Sequence, residues 1–248
     1  MKTIYILWLR QIKRYMRSRS RIIGSLGQPL LFLLALGYGF GPIYQKAGAG
    51  NYIQFLAPGI IGMSIIFTAI FSGIELIWDR QFGFLKETLV APVSRFNIML
   101  GRTLGGATVA IFQGVIVFAI SIIAGFRPDN WLLIVPAIFV MALIALLFTA
   151  LGTAIASNLE DMQGFQLIMN FLVMPLFFLS GSLFPLDGLP TIIEDIARLD
   201  PLSYGVDALR ALLTNTTHFG LGLDILVLSC VTLLFLFAGS YFFSKIQI

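Results

Sequence analysis

Six long apolar runs constrain this chain more than any other feature of its sequence. They are Ile22–Tyr44, Phe55–Trp78, Thr103–Gly125, Trp131–Ser157, Met162–Ser180 and Leu221–Phe243. Each matches the roughly 20 residues that a helix needs to cross a bilayer. Glu75 and Asp224 lie near the ends of their runs, and the other four runs carry no charged side chain. Only 11% of all residues are charged and 58% are hydrophobic, where a soluble domain carries about 25% charge. The expected class is therefore an all-α polytopic membrane protein with six transmembrane helices and a single domain over residues 1–248.

Lys and Arg in the connections set the expected orientation. The first 21 residues carry Lys2, Arg10, Lys13, Arg14, Arg17, Arg19 and Arg21. The second connection adds Arg80, Lys86, Arg95 and Arg102, and the C-terminal end adds Lys245. Lys46, Arg127, Arg198 and Arg210 fall on the other side, a ratio of twelve to four among the 16 basic residues. Both termini are expected in the cytoplasm, and the net charge of +4 then reports topology, not nucleic-acid binding. Ala47-x-Ala49 resembles a cleavage site, but the run before it is longer than a signal peptide's 7–15 apolar residues, so a retained first span is expected. Cys230 is the only cysteine and forms no intrachain disulfide.

Residues 2–18 plot as an amphipathic helix. Ile4, Tyr5, Trp8, Ile12, Tyr15 and Met16 share one arc, and Lys2, Arg10, Lys13, Arg14 and Arg17 the other. That pattern suits a helix lying in the membrane interface, its cations at the headgroups. In the connection from Asp79 to Arg102, Pro92 disfavours helix at Ala91, so a short helix over residues 83–90 ends there. Its Phe84, Leu85, Leu89 and Val90 need burial in the headgroup layer or on a partner, and Ser94 is the expected cap of the following helix. In the long external connection, Thr191-Ile192-Ile193-Glu194 reads as a capping box opening a helix to about Leu199. Ser203 is the expected cap of another, ending near Leu213. Leu183, Phe184, Leu186 and Leu189 point to a loop that dips toward the membrane.

Several chemistries find no residues here. One histidine and one cysteine exclude a His/Cys metal site. Glu160-Asp161 and Glu194-Asp195 fit helix starts or solvated loops, and no catalytic cluster is apparent. A phosphate-binding loop needs a Lys followed by Ser or Thr after a glycine-rich turn. Of the five lysines only Lys2 is followed by Thr, with no such turn before it. Any ATP-driven work must reach this chain through a surface contact. Mid-span ionisable groups, the mark of an ion pathway, are almost lacking.

Three patches resemble the type-2 ABC permease family, and especially its daunorubicin-type drug-resistance branch. The first is Gly27-Gln28-Pro29-Leu30 through Gly37-Tyr38-Gly39-Phe40-Gly41, followed by Phe55-Leu56-Ala57-Pro58-Gly59. The second is Lys86-Glu87-Thr88-Leu89-Val90-Ala91-Pro92-Val93-Ser94-Arg95 with Leu100-Gly101-Arg102. The third runs from Pro175 through Ser180-Gly181-Ser182-Leu183-Phe184-Pro185 and Leu189-Pro190 to Asp200-Pro201-Leu202 and Arg210.

The resemblance implies a type V exporter-like subunit in the plasma membrane of a prokaryote. It would pair with a second, identical copy and with separate ATPase subunits that hold the ATP and Mg, while this chain binds no cofactor. Residues 1–21 would be the connecting helix and residues 83–90 the coupling helix, with Gly83, Phe84, Leu85, Lys86, Glu87 and Leu89 at the ATPase contact. An external re-entrant segment within residues 184–213 would include Phe184, Pro185, Leu189 and Pro190. Phe67, Phe71, Met174, Phe177 and Phe178 would line a path for a hydrophobic or amphipathic cargo, drug-like or lipid. A lipid-linked saccharide is the alternative cargo. An ion-coupled carrier or membrane-embedded enzyme is the rival from another class.

Overall fold

The computed structural model describes residues 2–48 and 50–246, so Ala49 of the possible cleavage site lies outside the described residues. The described chain forms α1 (Lys2–Arg17), α2 (Arg19–Lys46), α3 (Tyr52–Phe71), α4 (Ile74–Gln81) and α5 (Phe84–Val90). After these come α6 (Arg95–Ile123), a 3-10 turn at Trp131–Leu133 and α7 (Ile134–Ser157). Then follow α8 (Met162–Leu179), α9 (Thr191–Leu199), α10 (Pro201–Thr214) and α11 (Leu221–Ser244). Six stretches are long and apolar enough to cross a membrane: α2, α3 with α4, α6, the turn with α7, α8 and α11. The all-helical, six-span expectation holds.

The second stretch, α3 with α4, is the centre of the bundle. Nearly every residue from Tyr52 to Ile70 is buried, with α2, α6, α7 and α10 packed around it. Lipid gives helices no hydrophobic reason to associate, so small residues that let backbones touch decide the packing. A Cβ on Gly73 would meet the Gly152 carbonyl oxygen at 2.6 Å, and one on Gly152 would meet the Ile70 carbonyl oxygen at 2.5 Å. The helix breaks at this contact, where the Ser72 hydroxyl donates to the Ala69 carbonyl, as Ser/Gly pairs commonly kink helices.

α1 docks on α6. Leu7, Gln11 and Tyr15 form its buried stripe, and they face α6. Gly105 opens the seat, since a Cβ there would meet the Cβ and Cγ of Gln11 at 2.7 Å. Trp8 Nε1 donates to Thr108 at 3.0 Å and the Tyr15 hydroxyl to Gln113 at 2.7 Å. Tyr5 and Met16 of the expected apolar arc stay exposed. Trp8 and Tyr15 of the expected arc do turn inward, to Thr108 and Gln113, but the buried stripe is rotated from that arc to take in Leu7 and Gln11.

The connection between α8 and α11 also corrects two caps. α9 begins at Thr191, but Pro190 occupies the capping position without a side-chain bond. Glu194 pairs instead with Arg198 at 2.7 Å. α10 is capped by Asp200, which accepts from Leu202 N at 2.8 Å, with Pro201 in its first turn. Ser203 is buried inside that helix. A carboxylate before Pro is the stronger start. α10 is buried along most of its length. A Cβ on Gly62 of α3 would meet Val206 at 3.0 Å, and one on Gly205 would meet Ile144 of α7 at 2.8 Å.

Candidate functional site

The strongest concentration of buried charge sits where α1, α2, α4 and α6 meet. Glu75 and Asp79 lie one turn apart on α4, and Arg10 and Arg14 one turn apart on α1, so two i,i+4 pairs face each other. Arg10 grips Asp79 with both terminal nitrogens, at 3.0 and 2.9 Å. Arg102 of α6 donates to Oδ2 of the same carboxylate, an oxygen that Arg10 also holds. Arg21 of α2 pairs with Glu75. Arg14 sits between the acids, 3.9 Å from Glu75 and 3.7 Å from Asp79. Glu75, Asp79 and Arg102 are all buried. Four guanidinium groups thus surround two carboxylates, and Asp79 joins α1, α4 and α6.

This junction reaches the short helix α5. The Arg10 guanidinium lies 3.7 Å from the centre of the Phe84 ring, a cation–π contact. Gly83 takes φ +80°, a left-handed turn that glycine adopts without steric cost, and α5 folds back on α4. Leu85 is 1% exposed, so it points into the chain's own core. Leu89 packs at the edge of that core. Leu85 is therefore withdrawn from any partner contact, Phe84 and Leu89 are half-buried, and the outward side carries Lys86 and Glu87, flanked by Phe82 at 81% and Val90 at 83% exposure. Nearby, Arg80 pairs with Glu160 at 2.7 Å, tying α4 to the loop before α8. Asp161 caps α8 through Gln163 N and Gly164 N.

At the other end of α3, the loop after α8 is pinned. The Tyr52 hydroxyl donates to the Leu183 carbonyl at 2.7 Å. Arg210 donates to the Gly181 carbonyl at 3.0 Å while stacking 4.0 Å over Phe55. A Cβ on Gly59 would meet the Ser182 carbonyl oxygen at 2.3 Å.

Residues 2–214 match the family profile described as ABC-2 type transporter. The chain belongs to the ABC-2 type transporter family. Nodulation protein J of Rhizobium leguminosarum bv. trifolii is 29% identical to this permease over 211 residues, covering 84% of it and 78% of that protein. A ycf38 protein of Pyropia yezoensis, named as a transport permease, is 31% identical over 224 residues, or 86% of this chain and 74% of its own. The ycf38 protein of Cyanophora paradoxa is 28% identical over 221 residues. The drug-resistance branch is not distinguished by these matches. The coarser assignment is firm: this is a multi-pass transmembrane subunit of an ABC transporter, from a family that works with an ABC ATPase.

The permease does not gather its five sequence-nominated aromatic and Met positions into one place. Phe67 and Phe71 stack at 6.2 Å and line a cleft of about 200 Å³ between α2 and α3, together with Gln28, Ser64 and Thr68. Phe71 also meets Phe165 of α8 edge-on. Phe177 is buried against Phe32 of α2. Met174 is half-buried and Phe178 exposed. In the loop between α8 and α9, Phe184 and Leu189 are half-buried while Pro185 and Pro190 are exposed. The ionic junction was missed from sequence. Its signal was present as two carboxylates four residues apart at a span's end, matched by two arginines at the same spacing in α1.

Proposed function

We propose that this chain is the membrane-spanning half of an ATP-driven exporter of hydrophobic or amphipathic compounds. It works as a homodimer in the plasma membrane, with α1, α5 and both termini in the cytoplasm. ATP and Mg are held by the separate ATPase subunits, and this chain hydrolyses nothing itself. α5 is the coupling helix. The observation that carries this reading is the division of α5 into a rooted side and a bare side. Leu85 and the Arg10–Phe84 contact fix its root to the ionic junction, and Lys86, Glu87, Val90 and Phe82 are left for a partner.

A push on the bare side moves Arg10 and Asp79 together, because a buried, hydrogen-bonded ion pair is costly to separate. Motion of the ATPase therefore reaches α1, α4 and α6 as one unit. Phe67, Phe71, Met174 and Phe178 line the cargo path near the axis between the two copies, with Phe177 packed behind them. α9, α10 and the loop containing Phe184, Pro185, Leu189 and Pro190 form an external re-entrant segment that closes the path.

The test is a co-purification. Glu87→Arg combined with Val90→Asp should weaken ATPase binding by roughly 30-fold, the equivalent of about 2 kcal/mol at an interface hot spot. The thermal midpoint of the isolated permease should stay unchanged. Full recovery of the ATPase with this double variant would remove α5 from the interface and with it the proposed route of energy.

A further inference from the structure

At the end of the bundle away from the ionic junction, two acids meet in the corner between α10 and α11. Asp207 is 4% exposed and Asp224 is fully buried, and the Asp207 side chain lies within hydrogen-bonding reach of Asp224. We propose that this pair binds one proton between its carboxyl groups, and that the proton ties the first turn of α11 to α10. The proposal is independent of the exporter reading.

Hydrogen-bond donors are shared unequally between the two acids. Asp207 accepts from the Thr217 hydroxyl at 2.9 Å and from the backbone N–H groups of His218 and Phe219, both at 2.8 Å. It thereby gathers the turn that leads into α11, and Tyr204, one turn earlier on α10, stacks on Phe219 at 4.8 Å. Neither oxygen of Asp224 receives a hydrogen bond from the described residues. Buried polar groups are nearly always paired, and an orphan calls for an explanation. A bare ionised carboxylate is costly to bury, and a second negative charge beside it raises that cost. A protonated Asp224 avoids both, because its O–H donates to Asp207 and the charge stays where the N–H and hydroxyl donors are.

The surroundings leave Asp224 no other counter-charge. α11 packs on α10, α7 and α6. α7 carries no ionisable side chain. The two on α6 are spent at the opposite end, Arg102 on Asp79 and Arg95 on the Ile246 carbonyl. On α10, Tyr204 lies near Asp224 but donates its hydroxyl to the Arg198 carbonyl, and Arg210 lies near Asp207. The His218 ring engages Asp187 at 2.8 Å, and Cys230 and Tyr241 stand further along α11. A metal cation would need more oxygen ligands than two carboxylates supply, and Asp207 has already given its lone pairs to the turn. Loss of the proton leaves two negative charges in contact, so the corner holds at low pH and loosens as pH rises.

The experiment uses the permease alone in nanodiscs, with Asp200→Asn throughout to remove the buried carboxyl at the start of α10. Infrared spectra of protein carrying isotope-labelled aspartate should show a protonated-carboxyl band at pH 6 that is lost at pH 9. The Asp224→Asn variant should lack the band at both. Hydrogen exchange of residues 217–224, corrected for its intrinsic pH dependence, should be about tenfold faster at pH 9 than at pH 6. Asp224→Asn puts an amide N–H in place of the O–H and does not titrate, so it should keep the slow rate at both. No protonated band at pH 6, a band that survives Asp224→Asn, or exchange that ignores pH would each overturn the assignment. Slow exchange restored at pH 9 by millimolar calcium or sodium would put a cation in the proton's place and overturn it too. The infrared band is read on the background protein, so it decides the matter even where Asp224→Asn fails to fold.

Discussion

Asp79 holds three of the arginines at the ionic junction, and that makes it the residue with most to lose. Removing one partner of a buried ion pair strands the others without solvent, at a cost of about 3–5 kcal/mol. Asp79→Asn should lower the permease's thermal midpoint sharply. Glu160→Gln, whose partner Arg80 is met at an exposed carboxylate, should change it little, since exposed pairs contribute about 0–1 kcal/mol. Differential scanning fluorimetry of both variants in one detergent decides the matter. Asp200 makes a separate prediction. Burial pushes its carboxyl up to about 8 from the usual 3.8, against the single bond from Leu202 N. The native state then holds a proton that the unfolded chain releases, so stability falls as pH rises between those two values. Asp200→Asn keeps the cap, since Asn serves as well as Asp, and removes the titration. Midpoints measured from pH 5 to 9 should decline for the wild type and stay flatter for the variant.

At the scale of helices, what was legible in the sequence was whatever local chemistry decides. Apolar runs found all six spans, Pro92 ended α5 at Val90, and Ser94 capped α6 through Asn97 N. Span ends ran beyond the apolar runs, as at α6, because Arg95 to Arg102 continue the helix into the ionic junction. Helix starts were less legible: Asp200 before Pro201 outranks Ser203 as a cap, and α9 starts behind Pro190 with no side-chain cap although Thr191 is the better capping residue. The inward turn of Leu85 was out of reach, because a seven-residue helix has no periodicity long enough to say which side is core. The docking of α1 was equally hidden, since it depends on Gly105 and Gln113 about a hundred residues away. That contact gives the third prediction. Gly105→Leu should push α1 from its seat, an overpacking penalty of about 1–3 kcal/mol. Trypsin cleavage between Arg10 and Arg21 should then be about tenfold faster, and an unchanged rate would mean that α1 is held by its ion pairs alone.

For the whole molecule, the asymmetry of basic residues is the argument for orientation. With Cys230→Ala as background, Lys46→Cys and Thr191→Cys should react with an impermeant maleimide added to intact cells, and Lys86→Cys should not. Labelling at position 86 would reverse the molecule and move α5 away from any cytoplasmic ATPase. The family was readable because its patches are local and ordered along the chain. The five positions nominated for a path were not, because Phe67 lines a cleft against α2 while Phe178 is exposed on α8.

The ionic junction also bears on how the protein is made. Arg10 and Asp79 are separated by 69 positions. At about 5–20 residues per second, the ribosome reaches Asp79 some 3–14 seconds after Arg10. Arg102, the third member, comes later still. Through that interval α1 carries its arginines without their carboxylates, at the membrane surface where anionic headgroups are the available counter-ions. α1 is thus seated only after α4 and α6 have been made, and its arrival on α6 closes this end of the bundle.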